Sequence, residues 1–272
     1  MADETLKTTT FRPFGLQNPV AVRAIGIVGS ENLSDLTDAP LITSRDQSIE
    51  IPRGLARSDY LELYEDFMGR AGEALPTWLN TQDTSAAGSP TLDFVSNALG
   101  GQYQLLTDAQ DEAQNLTLYG GDHLTLQITT GLIVEARIKL DADAVPWTAD
   151  QRFVIGLASA RDATIDDVVT NAWFRVEGAS ANILWETDDG TTDDDDNDSG
   201  VDIADDTFVV LKIEILSGSQ AAFYVDGQIV GAGDLSDADG NAVQFFAELQ
   251  KDAGTETEAL IFDYIRIVQP RS

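Results

Sequence analysis

Residues 207–231 read TFVVLKIEILSGSQAAFYVDGQIVG, and this stretch limits the possible folds more than any other. Val209, Leu211, Ile213 and Ile215 alternate with Val210, Lys212 and Glu214, the period-2 pattern of a strand with one buried face. Ser217-Gly218-Ser219 turns the chain, and residues 222–225 run back as a second strand. Asp226-Gly227 supplies two residues that tolerate positive φ in a tight type I′ turn, and residues 228–230 form a third strand. A three-stranded meander of this kind belongs inside a larger sheet, so the expected class is an all-β sandwich.

The rest of the chain carries the same signal. Strands are predicted over 91–95, 103–107, 115–119, 124–129, 132–140, 153–158, 172–176, 183–185, 243–249 and 259–268. The clearest is 132–140, where Leu132, Val134, Ala136, Ile138 and Leu140 point one way and Ile133, Glu135, Arg137 and Lys139 the other. Ten or more such strands with turn residues between them describe a jelly-roll sandwich. One short helix is expected over 59–68. Ser58 is its N-cap, Tyr60, Leu63, Tyr64 and Phe67 fall at i, i+3, i+4 and i+7, and Gly69 stops it.

Charge narrows the partners. The formal net charge of −31 argues against phosphate-mediated nucleic-acid binding, which needs a basic surface. It is unevenly spread: residues 1–57 hold six basic and seven acidic groups, a net of −1, and the remainder holds ten against forty, a net of −30. With Pro13, Pro19, Pro40 and Pro52 and short β-like runs such as 19–28, residues 1–57 fit an extended arm, or a small β subdomain packed on the body. Residues 58–272 form the sandwich domain. The apolar fraction of 43% is ample for its core, so the acidity is not a sign of global disorder. An Asp-rich, Lys-poor surface is compatible with a saline habitat, or with ordinary acidity that maintains solubility. No apolar run approaches the roughly 20 residues of a membrane-spanning helix, and the N-terminus lacks a secretory layout. The absence of cysteine removes thiolate metal sites and thiol nucleophiles, and a single histidine, His123, removes multi-histidine centres.

Four constellations remain as candidates. The acidic segment TDDGTTDDDDNDSGVDIADD, residues 187–206, places Asp194, Asp196, Asp198, Asp202 and Asp205 near the ligand spacings of a calcium loop, although the glycine falls one place late at Gly200. The alternative is a solvated loop; the turn at Asp234, Asp237 and Asp239 is a weaker calcium candidate. Asp122-His123 has the composition of an acid–base pair, or of an incidental loop. Glu135 with Arg137, and Glu177 and Glu186 on other strands, supply carboxylates without singling out a glycosidase pair. Trp147, Trp173, Trp185, Phe223 and Tyr224 are candidates for stacking on sugar rings, or else for core packing. No P-loop, dinucleotide fingerprint or zinc motif is present.

The order GLIVEARIKL, FVIGLAS, FVVLKIEI, FYVDGQIV and IFDYIRIVQ resembles the strand signatures of concanavalin A-like, or laminin G-like, jelly rolls. More narrowly, the run from about residue 58 to 271, with Trp78, GGQYQLLTDA and DYIRIVQPR, resembles tailed-phage head decoration proteins. That resemblance implies a non-enzymatic virion protein on the outer capsid surface, bound to the major capsid protein and self-associated as a homotrimer. Glycosidases of the same fold carry Glu-x-Asp-x-x-Glu on one strand, and the nearest strands here, VEARIK and IFDYIR, lack it. The alternative is a lectin-like carbohydrate-binding module for host-surface glycans, with a site at the acidic loop and Trp185 that takes calcium. The resulting expectation is an all-β, concanavalin A-like jelly roll with an extended N-terminal arm and one short helix.

Overall fold

The chain forms sixteen strands among the described residues, which in this computed structural model are 60–123, 125–142, 151–217 and 219–271. In chain order they are β1 (Tyr60–Glu65), β2 (Asn80–Asp83), β3 (Thr91–Phe94), β4 (Tyr103–Leu106), β5 (Gln114–Tyr119), β6 (Leu126–Gln127), β7 (Ile133–Ala142) and β8 (Gln151–Ala158). They continue with β9 (Asn171–Glu177), β10 (Asn182–Asp188), β11 (Asp193–Asp202), β12 (Val209–Ile215), β13 (Gln220–Val225), β14 (Gln228–Asp234), β15 (Ala242–Lys251) and β16 (Glu258–Pro270). The N-terminal domain expected over residues 1–57, arm or subdomain, lies outside the described residues, as does Trp147. No helix among the described residues is long and apolar enough to cross a membrane.

The strands pair antiparallel in two sheets. The first has the order β14-β13-β12-β7-β16-β4-β3, with β1 also on β16; the second has β11-β10-β9-β8-β15-β5-β2, with β6 also on β15. Inward-facing residues of both sheets meet in one core. Val134, Ala136 and Ile138 of β7 and Phe262, Ile265 and Ile267 of β16 face Phe153, Ile155, Phe174, Phe245 and Leu249 of the second sheet, all buried. Each large side chain so buried contributes about 1.5–3 kcal/mol. This is a concanavalin A-like jelly-roll sandwich, as the period-2 pattern implied.

The opening meander is present as expected. β12 alternates buried and half-buried residues without exception. Asp226 and Gly227 both adopt positive φ, 48° and 78°, the conformation that a two-residue turn between right-twisted strands requires.

Two local expectations are corrected. Residues 60–65 form strand β1 instead of a helix, pairing with the C-terminal half of β16 from Tyr60↔Pro270 to Glu65↔Ile265. The stretch YLELYE carries a 2.0 period as well as a 3.6 period, with Leu61, Leu63 and Glu65 half-buried and Tyr60, Glu62 and Tyr64 exposed. An isolated short helix must meet its own nucleation cost, whereas the free side of the thirteen-residue β16 offers a ready ladder. Phe67, with φ of 51°, then turns fully into the core against Tyr103, Phe262 and Phe94 at centroid distances of 5.5, 6.2 and 6.4 Å.

The acidic segment is also not a loop. Half of it is β11, among the described residues the terminal strand of the second sheet, paired there only with β10 and interrupted by two irregularities in register. Asp196 and Gly200 take up positive φ there. Sequence patterning misses such a strand because ladder hydrogen bonds, and not burial, define it. Six aspartates on an open edge also oppose edge-to-edge pairing with another sheet.

Candidate functional site

Period-2 alternation gives the second sheet an outward face as well as a core face. Val154, Ala158, Trp173, Phe246 and Tyr119 point away from the core and form a separate buried cluster with Ile165 and Val168. Those last two come from residues 159–170, the connection between β8 and β9, which lies across the outer face as a strap. The ends of the strap are tied together, Ser159 N donating to Thr170 O at 2.8 Å and Thr170 N to Ser159 Oγ at 3.3 Å. A 3-10 turn at Ile165–Asp167 lies in its middle.

The strap divides the face in two. Beside the apolar cluster, part of the face on β2, β5 and β15 is polar. Glu248 is fully buried there, accepting from Thr117 Oγ1 at 2.7 Å and from Gln250 Nε2 at 2.5 Å. Burial pushes its carboxyl pKa up, opposed by those hydrogen bonds and by the charges of Arg161 and Arg152. Arg161 reaches in from the strap, with Nε donating to Thr117 Oγ1 at 3.2 Å and lying 3.9 Å from Glu248 Oε2. One guanidinium nitrogen of Arg161, Nη2, is buried without a hydrogen-bond partner. Gln82 and Asn115 are half-buried around this network, and Gln82 accepts from Tyr119 OH at 3.3 Å.

On β9 and β10 the face is built around Arg175. Its guanidinium lies 2.7 Å from Asp166 of the strap, 2.5 Å from Glu177 and 3.5 Å from Glu186. Burial by itself would weaken the basicity of Arg175, but Glu186, Glu177 and Asp166 together raise its pKa. Glu186 is almost completely buried; Trp173 Nε1 donates to its Oε1, and its Oε2 has no partner. Burial pushes its carboxyl up to about 8, Arg175 opposing and Asp195, Asp196 and Asp166 adding to the rise.

Glu186 on β10 lies level with Phe246 of β15 across β9 and β8, so three inter-strand steps of roughly 4.8 Å and two residues of about 3.3 Å along β15 place Glu248 about 16 Å away. Glycosidase carboxylates stand about 5–9.5 Å apart. These two acids therefore do not form such a pair with each other, and the face they share presents hydrogen-bond donors and acceptors to a ligand.

The other candidate residues fall elsewhere. Asp194, Asp196, Asp198 and Asp202 are strung along β11, where Asp194 stands opposite Thr187 and Asp202 opposite Asn182, a five-step span on β10 of roughly 17 Å at about 3.3 Å per residue, and Asp205 lies beyond it. Among the described residues, no group of three or more His, Cys, Asp or Glu side chains is gathered as metal ligands. Trp185 is not a rim residue. It is buried in the core, stacked on Phe223 at 5.1 Å and closing on Gly231, where an added Cβ would sit 2.2 Å from the indole. Trp173 and Phe223 are likewise buried, and Lys212 Nζ lies 3.8 Å over the ring of Tyr224. Asp122 is bound to Gln244 Nε2 at 2.9 Å and to the Arg161 amide at 3.3 Å, while His123 stands exposed. Glu135 and Arg137 lie on the outer face of the first sheet, Glu135 accepting from Tyr264 OH and Arg137 pairing with Asp263. Sequence reading missed Arg161 and Glu248, whose partners lie 44 and 131 residues away at Thr117.

No protein-family model matches the chain, and no curated protein sequence matches it. Solved structures do match in shape. An endo-1,3-beta-glucanase from Streptomyces sioyaensis is 11% identical, covering 80% of this chain and 99% of that one with a TM-score of 0.55. The carbohydrate recognition domain of Emp47p is 11% identical, covering 79% and 96% with a TM-score of 0.54. A protein of unknown function from Shewanella oneidensis MR-1, SO2946, is 14% identical, covering 77% and 86% with a TM-score of 0.54. At such identities the likeness defines the fold, a concanavalin A-like jelly roll shared by lectin and glucanase domains, and function must be argued from the site.

Proposed function

We propose that this chain is a non-catalytic, glycan-binding jelly roll whose saccharide site is the polar half of the second sheet's outer face. The observation that carries this reading is the Arg161–Thr117–Glu248–Gln250 network. It is a buried array of charge-assisted and amide hydrogen bonds with one guanidinium nitrogen left without a partner. A buried donor with no partner is costly, and a sugar hydroxyl, which both donates and accepts, satisfies it. The carbohydrate recognition domain and glucanase among the structural neighbours support the ligand class, and the lack of a Glu-x-Asp-x-x-Glu strand supports binding without turnover.

A glycan array followed by titration calorimetry of the best ligand tests the reading. Arg161→Ala is expected to weaken binding about 10- to 100-fold, the worth of a hydrogen bond to a charged group. Asn115→Ala, at a half-buried amide, is expected to weaken it less while leaving the melting temperature unchanged. An array without hits, or full affinity in both variants, would remove the site. Release of new reducing ends from β-glucans would overturn the non-catalytic part.

A second reading places the same protein on the outside of a phage capsid, contacting the major capsid protein as a homotrimer. It is supported by the order of strand signatures and by the change from a net of −1 over residues 1–57 to −30 beyond them. The two readings are compatible, because a virion-borne jelly roll can present a glycan site. Deleting residues 1–57 is expected to abolish capsid binding in a co-sedimentation assay while the sandwich remains folded; retained binding would take the arm out of this reading.

A further inference from the structure

The strap does more than connect two strands. Of its twelve residues, Ile165 and Val168 are fully buried, and they cover Trp173 and Phe246, whose ring centroids lie 6.1 Å apart. Val169 beside them is 63% exposed. At one end the strap is held by Arg161, and at its middle by a single ion pair, Asp166 to Arg175 at 2.7 Å. Arg175 is a shared cation, because Glu186 stands 3.5 Å from the same guanidinium nitrogen and has one oxygen with no partner.

We propose that the middle of the strap, residues 163–169, forms a proton-controlled cover: with Arg161 anchored at Thr117, ionisation of Glu186 draws Arg175 away from Asp166, unclips this part, and uncovers Trp173 and Phe246 as an extension of the saccharide-binding face. Every charged group facing Glu186 acts in this direction or sets its threshold. From β9, Arg175 attracts the ionised form, and Glu177 competes for the same guanidinium. From the strap, Asp166 is repelled by a charged Glu186. From β11, Asp195 and Asp196 add further negative potential, and Asp195 is itself hydrogen-bonded to Asp193. With Glu186 neutral, Arg175 serves Asp166 and Glu177. With Glu186 charged, the buried carboxylate takes the guanidinium, because an ion pair strengthens as its surroundings lose water. Burial pushes the Glu186 carboxyl up to about 8, which puts the change in mildly alkaline solution. The exposed indole and phenyl faces then continue the polar half-face as a stacking platform for a sugar ring. This last point rests on the glycan-binding reading; the movement of the strap does not.

Hydrogen exchange resolved by mass spectrometry tests the cover directly, with protection corrected for the intrinsic exchange rate at each pH. In the wild-type chain, protection over residues 163–169 is expected to fall tenfold or more between pH 6.5 and 9.5, while β13 keeps its protection. In Glu186→Gln the strap is expected to stay protected at both values. In Asp166→Asn it is expected to be unprotected at both. Constant protection in the wild-type chain, an equal fall in Glu186→Gln, or full protection in Asp166→Asn would overturn the proposal. No glycan enters the measurement. A chain that bound no sugar would leave this result standing, and a strap that never opened would leave the polar half-face intact as a site.

Discussion

Replacing Gly156 by alanine is expected to prevent the sandwich from forming a stable native state. Gly156 sits in the middle of β8, between Trp173 of β9 and Phe246 of β15. A Cβ there would lie 2.2 Å from the carbonyl oxygen of Ala172 and 2.7 Å from the Cα of Trp173. Both are backbone atoms in the centre of a hydrogen-bonded ladder, so neither can move aside as the end of a flexible side chain would. Ile213 of the facing sheet, 2.8 Å away, closes the remaining direction. Overpacking of a core typically costs about 1–3 kcal/mol, and a clash with fixed backbone exceeds that range. Against a total stability of roughly 5–15 kcal/mol, a loss above about 3 kcal/mol is enough to move the chain toward aggregation and proteolysis. Urea unfolding of Gly156→Ala beside Ile155→Val, a neighbouring core change expected to cost only about 0.5–1.5 kcal/mol, is the measurement. Equal midpoints for the two variants would show that β8 and β9 can separate at this point.

Glu186→Gln is expected to remove a large part of the pH dependence of stability. In the folded chain the Glu186 carboxyl titrates near 8, and in the unfolded chain near the ordinary value of 4.5. The native state therefore holds a proton that the unfolded state releases between those values. Its stabilising contribution is complete below about pH 4.5 and is lost as the pH rises through about 8. At about 1.4 kcal/mol per pH unit the interval caps the effect at roughly 4–5 kcal/mol. Glutamine keeps the shape and the neutral charge, so the variant is expected to match the wild-type chain near pH 4.5 and to exceed its stability by several kcal/mol at pH 8.5 and above. Glu248, Glu65, Asp66 and Asp195 are also pushed up, and Asp108 and Asp189 down. The informative quantity is thus the difference between the two chains across pH, in which those groups cancel. A constant difference would mean that Arg175 holds Glu186 ionised throughout.

The candidate site was far less legible in the sequence than its scaffold. In the sequence Glu186 is one acid among many, and no pattern marks Arg161 or Glu248. Nothing in VVLKIE or FFAELQK says whether the glutamate it carries will face water or a buried threonine from a strand more than a hundred residues away. Tryptophans were legible as large and apolar, but not in their assignment to a side. Trp185 points inward onto Phe223 and Trp173 outward beneath the strap.

The sequence by itself determined the class of fold. Alternation along β7, β12, β15 and β16 needs only the side-chain geometry of an extended chain, and Asp226-Gly227 needs only its own dihedral angles. These are local properties, and they read correctly without neighbours. Tertiary structure decided the edges and the outward face. YLELYE satisfies two periods and became a strand only because β16 had a free side, and the aspartate run became β11 only because β10 offered a ladder. The strap, the shared Arg175 and the Glu248 network depend on which strands become neighbours, and that follows from long-range packing of the whole core, not from any pattern within one segment.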